Sequence, residues 1–160
     1  MTTENSATIV LIRHGEAAGF GPDGTDFSRP LAVGAKFDIG TVAADLVAAG
    51  LKPDLIVTSP ARRAAETAAL FSRETGFTGK IRSEPLLYND AAETVINLVE
   101  KYSIPELTLY LVGHNPSITR TVATLVPNFN HGFDPATAAA IRIRHWPHLN
   151  ECQLIGLYRP

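Results

Sequence analysis

Residues 8–16 read TIVLIRHGE: five β-branched or aliphatic residues in an unbroken run, then an arginine, a histidine, a glycine and a glutamate. A strand with one wet face alternates apolar and polar side chains, so an unbroken run predicts burial on both faces. Such a strand belongs in the middle of a sheet covered on both sides, and the polar residues after it stand at its carboxyl end. Two other stretches repeat the pattern. Residues 54–58 (DLIVT) lead into Ser59-Pro60-Ala61-Arg62-Arg63, and residues 108–112 (TLYLV) lead into Gly113-His114-Asn115-Pro116.

Between these strands the periodicity turns helical. Phe37, Val42, Leu46 and Val47 fall at helical spacing within residues 34–49, and Gly50 follows as a stop signal. Ser59-Pro60 and Asn115-Pro116 each read as a helix start, a polar N-cap followed by proline at the first helical position. A weaker strand is expected at 80–83 and a helix at 91–102. Near the end, residues 138–144 (AAAIRIR) and 152–158 (CQLIGLY) flank a turn-rich stretch at 147–150 and predict a hairpin. No repeat, low-complexity tract or linker interrupts the chain. The expectation is one α/β domain over residues 1–160: a three-layer α/β/α sandwich around a mainly parallel sheet, with an antiparallel element near the C-terminus.

Composition narrows the function. Of the 160 residues, 45% are hydrophobic and 19% charged, the balance of a globular chain, and the formal net charge is -2. That charge offers no bulk attraction to nucleic acid or to an anionic membrane, so neither is expected as a partner and any anion site must be built locally. The single cysteine, Cys152, excludes an internal disulfide, suits a reducing cytosol and reads as a buried structural thiol in an apolar strand. The opening MTTENSATIVLIRHG lacks the basic-then-apolar order of a signal peptide, and no run approaches the ~20 apolar residues of a membrane span. The expected compartment is the cytoplasm.

Open α/β sheets bind ligands beyond the carboxyl ends of their strands. If the three strong strands are neighbours, His14, His114, Arg13 and at least one of Arg62 and Arg63 converge on one rim. Arginine forks match phosphate oxygens, and helix N-termini add oriented N–H groups, so this rim suits a multiply charged anion. A neutral imidazole there can attack phosphorus and form a phosphohistidine; a second imidazole, once protonated, can neutralise charge on the equatorial oxygens. Taken singly, a histidine at a strand end is ordinarily a satisfied polar residue and an arginine on a helix is solvated surface. Their recurrence at corresponding strand ends favours the site. A two-histidine metal centre would need a further ligand, for which Glu16 is the nearby candidate, and the arginines would repel a cation; no metal or other cofactor is expected. Ser59 lacks a nucleophile-elbow context and reads better as a cap.

Ile12-Arg13-His14-Gly15-Glu16 resembles the Arg-His-Gly signature of the histidine phosphatase superfamily, the phosphoglycerate mutase-like fold. Residues 58–68, TSPARRAAETA, resemble its second motif, and Leu111-Val112-Gly113-His114-Asn115-Pro116 its third. The short length, with Ser28-Arg29-Pro30-Leu31 and then Gly34, is similar to the SixA-type phosphohistidine phosphatases. The resemblance implies His14 as nucleophile, Arg13 as a phosphoryl ligand, Arg63 rather than Arg62 as the second-motif arginine, and His114 as the second pocket histidine. Arg29, Gly15 and Asn115 are further phosphate-binding candidates. His131, His145 and His148 match nothing and are expected at the surface.

Larger members of that superfamily carry a carboxylate that protonates the leaving oxygen. Here Glu84 and Asp90 are the candidates, with no motif to choose between them. A phosphoramidate leaving as an imidazole needs such an acid less. The expectation is therefore a metal-independent hydrolase of phosphoric monoesters or phosphoramidates, acting on a phosphohistidine-bearing protein or a small phosphorylated metabolite. The alternatives are a phosphoryl-transfer partner and a catalytically silent module that binds a phosphorylated ligand.

Overall fold

The computed structural model describes residues 5–88 and 91–160. In chain order these form β1 (Ala7–Arg13), α1 (Ala35–Ala48), β2 (Leu55–Thr58), α2 (Arg62–Thr75), β3 (Arg82–Ser83), a 3₁₀ turn (Pro85–Tyr88), α3 (Ala92–Tyr102), β4 (Thr108–Gly113), α4 (Ser117–Leu125), β5 (Ala138–His145) and β6 (His148–Tyr158). The six strands make one mixed sheet in the order β3-β2-β4-β1-β5-β6. The first four run parallel, while β5 pairs antiparallel with β1 and β6 antiparallel with β5.

The unbroken apolar run in β1 is explained by its surroundings. Successive strand side chains point to opposite faces. Ile9 and Leu11 pack into a core shared with Val95, Leu98 and Val99 of α3 and Ile118 and Val122 of α4. Val10 and Ile12 pack into a second core with Ile39, Val42 and Leu46 of α1 and Ala64, Ala68 and Phe71 of α2. All four strand residues are completely buried. This is the expected three-layer sandwich. Among the described residues no helix is long and apolar enough to cross a membrane.

Pairing then aligns the strand ends. Arg13 stands opposite Gly113 and Thr58 opposite Val112, so β1, β2 and β4 deliver their following residues to one rim. The antiparallel β5 begins at that same rim, where Ala138 pairs with Ile12. Residues 133–137 are thereby brought beside the strand ends as well.

Several local expectations shift. The helix read from Ser59-Pro60 begins at Arg62, with Ala61 at the N-cap and no side-chain cap. The loop after β1 takes that role: the Phe27 carbonyl accepts the Arg62 N–H at 3.0 Å. The Ser59 hydroxyl is left for another partner, described below. In α4 the helix likewise starts one residue later than the Asn-Pro signal implied, at Ser117. Asn115 still caps it from one position further out, its Oδ1 accepting the Thr119 N–H at 3.2 Å. The strand expected at 80–83 shrinks to two residues on the sheet edge. In the hairpin, His148 already pairs with His145, so β6 absorbs most of the expected turn. Cys152 is half-buried in β6 rather than fully buried, and burial raises its thiol pKa.

Candidate active site

His14 follows β1, and its backbone is clamped from two sides. Its N–H donates to the Gly113 carbonyl at 3.0 Å, and its carbonyl accepts the Ala136 N–H at 3.1 Å. The ring is set by its own neighbour: Nδ1 lies 2.7 Å from the Gly15 carbonyl oxygen. A carbonyl can only accept, so in the neutral ring Nδ1 carries the proton and Nε2 keeps its in-plane lone pair. Arg63 Nε donates to that nitrogen across 3.3 Å.

Arg63 and Arg62 are consecutive on α2, about 100° apart around the helix axis. Arg63 turns inward and its side chain is 9% exposed, whereas Arg62 faces solvent and pairs with Glu66 one turn on, at 2.9 Å. Arg63 Nη2 also lies 3.5 Å from His114 Nδ1. His114, buried after β4, places its Nε2 at 2.8 Å from the Ser59 hydroxyl. That is the partner Ser59 gains by not capping α2 conventionally. The two imidazoles meet edge to face with ring centroids 5.0 Å apart.

Arg13 points its Nη1 into the Phe133 carbonyl at 2.7 Å, and its buried Nε has no partner among the described residues. Arg29 reaches the Ala18 carbonyl through Nε and the Asp26 carboxylate through Nη1. Gly15 and Asn115, expected as phosphate-binding candidates, have these partners in the structure. The Gly15 N–H is committed to the Thr67 hydroxyl at 3.0 Å, and a Cβ there would lie 3.1 Å from Ile39, so the residue allows α1 to approach the His14 loop. The Asn115 side chain is committed to α4 and to the Phe133 carbonyl. Glu84 is not brought to His14 either: its carboxylate accepts from the Tyr102 hydroxyl, the Leu86 N–H and the Lys101 ammonium, which lower its pKa. Asp90 lies outside the described residues. Glu16 is exposed, and among the described residues no group of three or more His, Cys, Asp or Glu side chains could hold a metal ion. His131, His145 and His148 are exposed as expected.

The electrostatics follow from burial among arginines. Removal from water lowers the His14 pKa to about 4; the charges of Arg63, Arg13 and Arg29 push the same way, against the opposing Gly15 carbonyl bond. His114 falls to about 3, chiefly by burial and then through His14 and Arg63. Both rings are neutral at pH 7. The protonated second histidine considered from sequence is thus not the state that these surroundings favour. Arginines around an unprotonated imidazole nitrogen can hold a phosphoryl anion beside a nucleophile.

Four site elements escaped the sequence reading: Asp26, Tyr88, Thr67 and the Phe133 carbonyl. Asp26 accepts from Arg63, Arg29 and the Tyr88 hydroxyl. Thr67 lies inside the second motif and carried a signal there; the other three carried none.

The same architecture occurs in solved structures. A SixA protein histidine phosphatase complexed with tungstate superposes with a TM-score of 0.78 at 18% identity, over 95% of this chain and 96% of that one. A Nakamurella multipartitia protein named as a phosphohistidine phosphatase SixA does so at 0.83 and 24% identity, over 98% and 97%. This is the SixA phosphohistidine phosphatase fold. A mycobacterial glucosyl-3-phosphoglycerate phosphatase shares the SixA-type architecture more distantly, at 0.69 and 17% identity over 94% and 98%. No family model matches the chain. In sequence it is 31% identical to an uncharacterised chloroplastic protein of Arabidopsis thaliana over 123 residues, 71% of this chain and 56% of that protein; the chain spans about half the length of that relative. An uncharacterised Mycobacterium tuberculosis protein is 29% identical over 163 residues, 93% of this chain and 99% of that one.

Proposed function

We propose that the chain is a metal-independent phosphatase that works through a covalent phosphohistidine on His14. The observation that carries this reading is the ring setting of His14: Nδ1 held by the Gly15 carbonyl, and an unprotonated Nε2 that accepts only a long bond from Arg63 Nε at 3.3 Å. The SixA-type fold supports it.

In the first step the Nε2 lone pair attacks phosphorus. The bond from phosphorus to the leaving oxygen or nitrogen breaks with its electron pair, and the leaving group takes a proton from solvent. Arg63 and Arg13 hold the phosphoryl oxygens. Water then attacks phosphorus, the bond to Nε2 breaks and the ring regains its lone pair. The proton lost by water passes to solvent. His114 starts neutral, and an arriving dianion favours its protonated form, which then adds charge against the equatorial oxygens.

The substrate class we propose is a phosphohistidine on a protein or another activated phosphate, in a reducing cytosol. Neither Glu84 nor Asp26 is set to protonate an alkoxide here: Glu84 faces Tyr102, and Asp26 is held ionised by its donors with a pKa of about 2. An imidazole leaving group is relieved of that need. The deciding experiment mixes the protein with a small reactive phosphoryl donor, quenches in alkali and maps the adduct by mass spectrometry. One acid-labile phosphoryl group on His14, absent from His14→Ala along with turnover, is expected. Undiminished turnover by His14→Ala would overturn the reading. A stable adduct that passes to another protein faster than to water would favour the transfer-partner alternative.

A further inference from the structure

Residue Asp26 gathers more donors than a loop carboxylate ordinarily does. Its Oδ2 accepts from Arg63 Nη2 at 3.0 Å and from the Tyr88 hydroxyl at 2.7 Å. Its Oδ1 accepts from Arg29 Nη1 at 3.2 Å, and its backbone carbonyl accepts from Arg63 Nη1 at 2.9 Å. Two guanidinium groups and a phenol around one anionic group is also the arrangement that holds a phosphoryl group. The side chain is 52% exposed while that of Arg63 is 9% exposed, so the carboxylate enters from the solvent side onto a buried cation. While these bonds hold, it is ionised, its pKa lowered to about 2 with the Tyr88 bond the largest cause.

The position matters as much as the donors. Arg63 is the group whose Nε faces the His14 nucleophile and whose Nη2 lies beside His114. A phosphoryl dianion seated on His14 would meet the Asp26 carboxylate across the same guanidinium, two anions drawing on one buried cation. Nη2 has two N–H groups, one meeting Asp26 Oδ2 at 3.0 Å and the other facing His114 Nδ1 at 3.5 Å, so a phosphoryl oxygen seated there displaces one of these partners, and the exposed carboxylate is the movable one. Rotation of the Asp26 side chain releases Nη2 and the Tyr88 hydroxyl, while the bond from Nη1 to the backbone carbonyl keeps Arg63 in place.

We propose that Asp26 is a tethered competitor for the phosphoryl seat, bonding Arg63 as seen here and yielding it when a phosphoryl group enters. The proposal rests on reading this pocket as a phosphoryl site. Asp26 then sets how tightly the pocket holds phosphate and so how readily the product departs. A binding-competent form populated one-tenth of the time weakens apparent affinity about tenfold.

The test is direct binding of inorganic phosphate by calorimetry to the wild type, Asp26→Asn, Asp26→Ala and Arg63→Gln. Both Asp26 variants are expected to bind phosphate about five- to tenfold more tightly; the asparagine keeps the shape of the side chain, and the alanine removes any new donor. Arg63→Gln is expected to bind at least tenfold more weakly. Unchanged or weaker binding by both Asp26 variants, with Arg63→Gln impaired, would overturn the competitor and leave the pocket reading standing. Binding unaffected by Arg63→Gln would remove the pocket reading and the competitor with it.

Discussion

Arg63 Nε stands 3.3 Å from Nε2 of His14, although the two residues are 49 positions apart and belong to different strand ends. The contact exists because β1 and β2 both flank β4 and end level with it, while α2 starts directly beyond β2. Its neighbour Arg62 points away into solvent and bonds Glu66.

Two adjacent arginines should therefore behave very differently. Arg63→Ala is expected to lower kcat/KM for a small phosphoryl donor by about 10²- to 10³-fold, the usual loss when one donor to a developing oxyanion is removed. Arg62→Ala removes an exposed i,i+4 pair and should change it by less than about threefold. Steady-state hydrolysis by the two purified variants measures this, and equal losses would contradict the assignment of Arg63.

The pH profile carries its own signature. His14 must be unprotonated to attack, and its pKa is depressed to about 4, so the reactive form persists well below the ordinary imidazole range. The expected kcat/KM is level from pH 8 down to about 5, then falls as His14 protonates near 4. An acid limb centred near 6.5 would mean that the ring is not buried among arginines as the structure has it.

Those depressed values also couple folding to pH. An unfolded histidine takes up a proton near 6.5, while folded His14 and His114 resist to about 4 and about 3. Between those values the unfolded state binds more protons, so stability declines as pH falls through that window. For His14 alone the loss between pH 7 and 4.5 is about 2 kcal/mol. His14→Asn should lose correspondingly less over that interval in urea titrations at the two pH values; an identical loss would show that other groups govern acid unfolding.

Thr67 links the His14 loop to α2. Its hydroxyl accepts the Gly15 N–H at 3.0 Å and donates to the Arg63 carbonyl at 2.7 Å. Thr67→Val keeps the shape but leaves a buried N–H unpaired, which costs about 1–3 kcal/mol. It should also reduce turnover by misplacing His14 against Arg63, whereas Thr67→Ser should preserve both properties. Urea midpoints and kcat for the two variants separate this from a packing role, under which valine, which keeps the shape, would be tolerated and serine, which lacks the methyl group, would fail.

Much of the fold could be read locally. The TIVLI run demanded two covered faces, and Ile9 and Val10 do enter opposite cores. The polar residues after β1, β2 and β4 pointed to one rim because parallel strands place like ends together. Helix starts were harder to read. Ser59-Pro60 and Asn115-Pro116 carry strong local signals, yet Phe27, more than thirty residues before α2, supplies the carbonyl that receives its first N–H. A local rule cannot see a donor satisfied by a distant loop.

Sequence alone determined the covered strands, the shared rim and the residue types gathered there, since these depend on short-range periodicity and on which groups can bind an anion. Tertiary structure alone decided that both histidines are neutral, that the Gly15 N–H meets Thr67 and the Asn115 side chain meets α4, and that Asp26 and Tyr88 close on Arg63. Protonation is set by lost water and by charges brought near in space, and hydrogen bonds are claimed by whichever partner folding delivers. Neither property belongs to a residue until its surroundings exist.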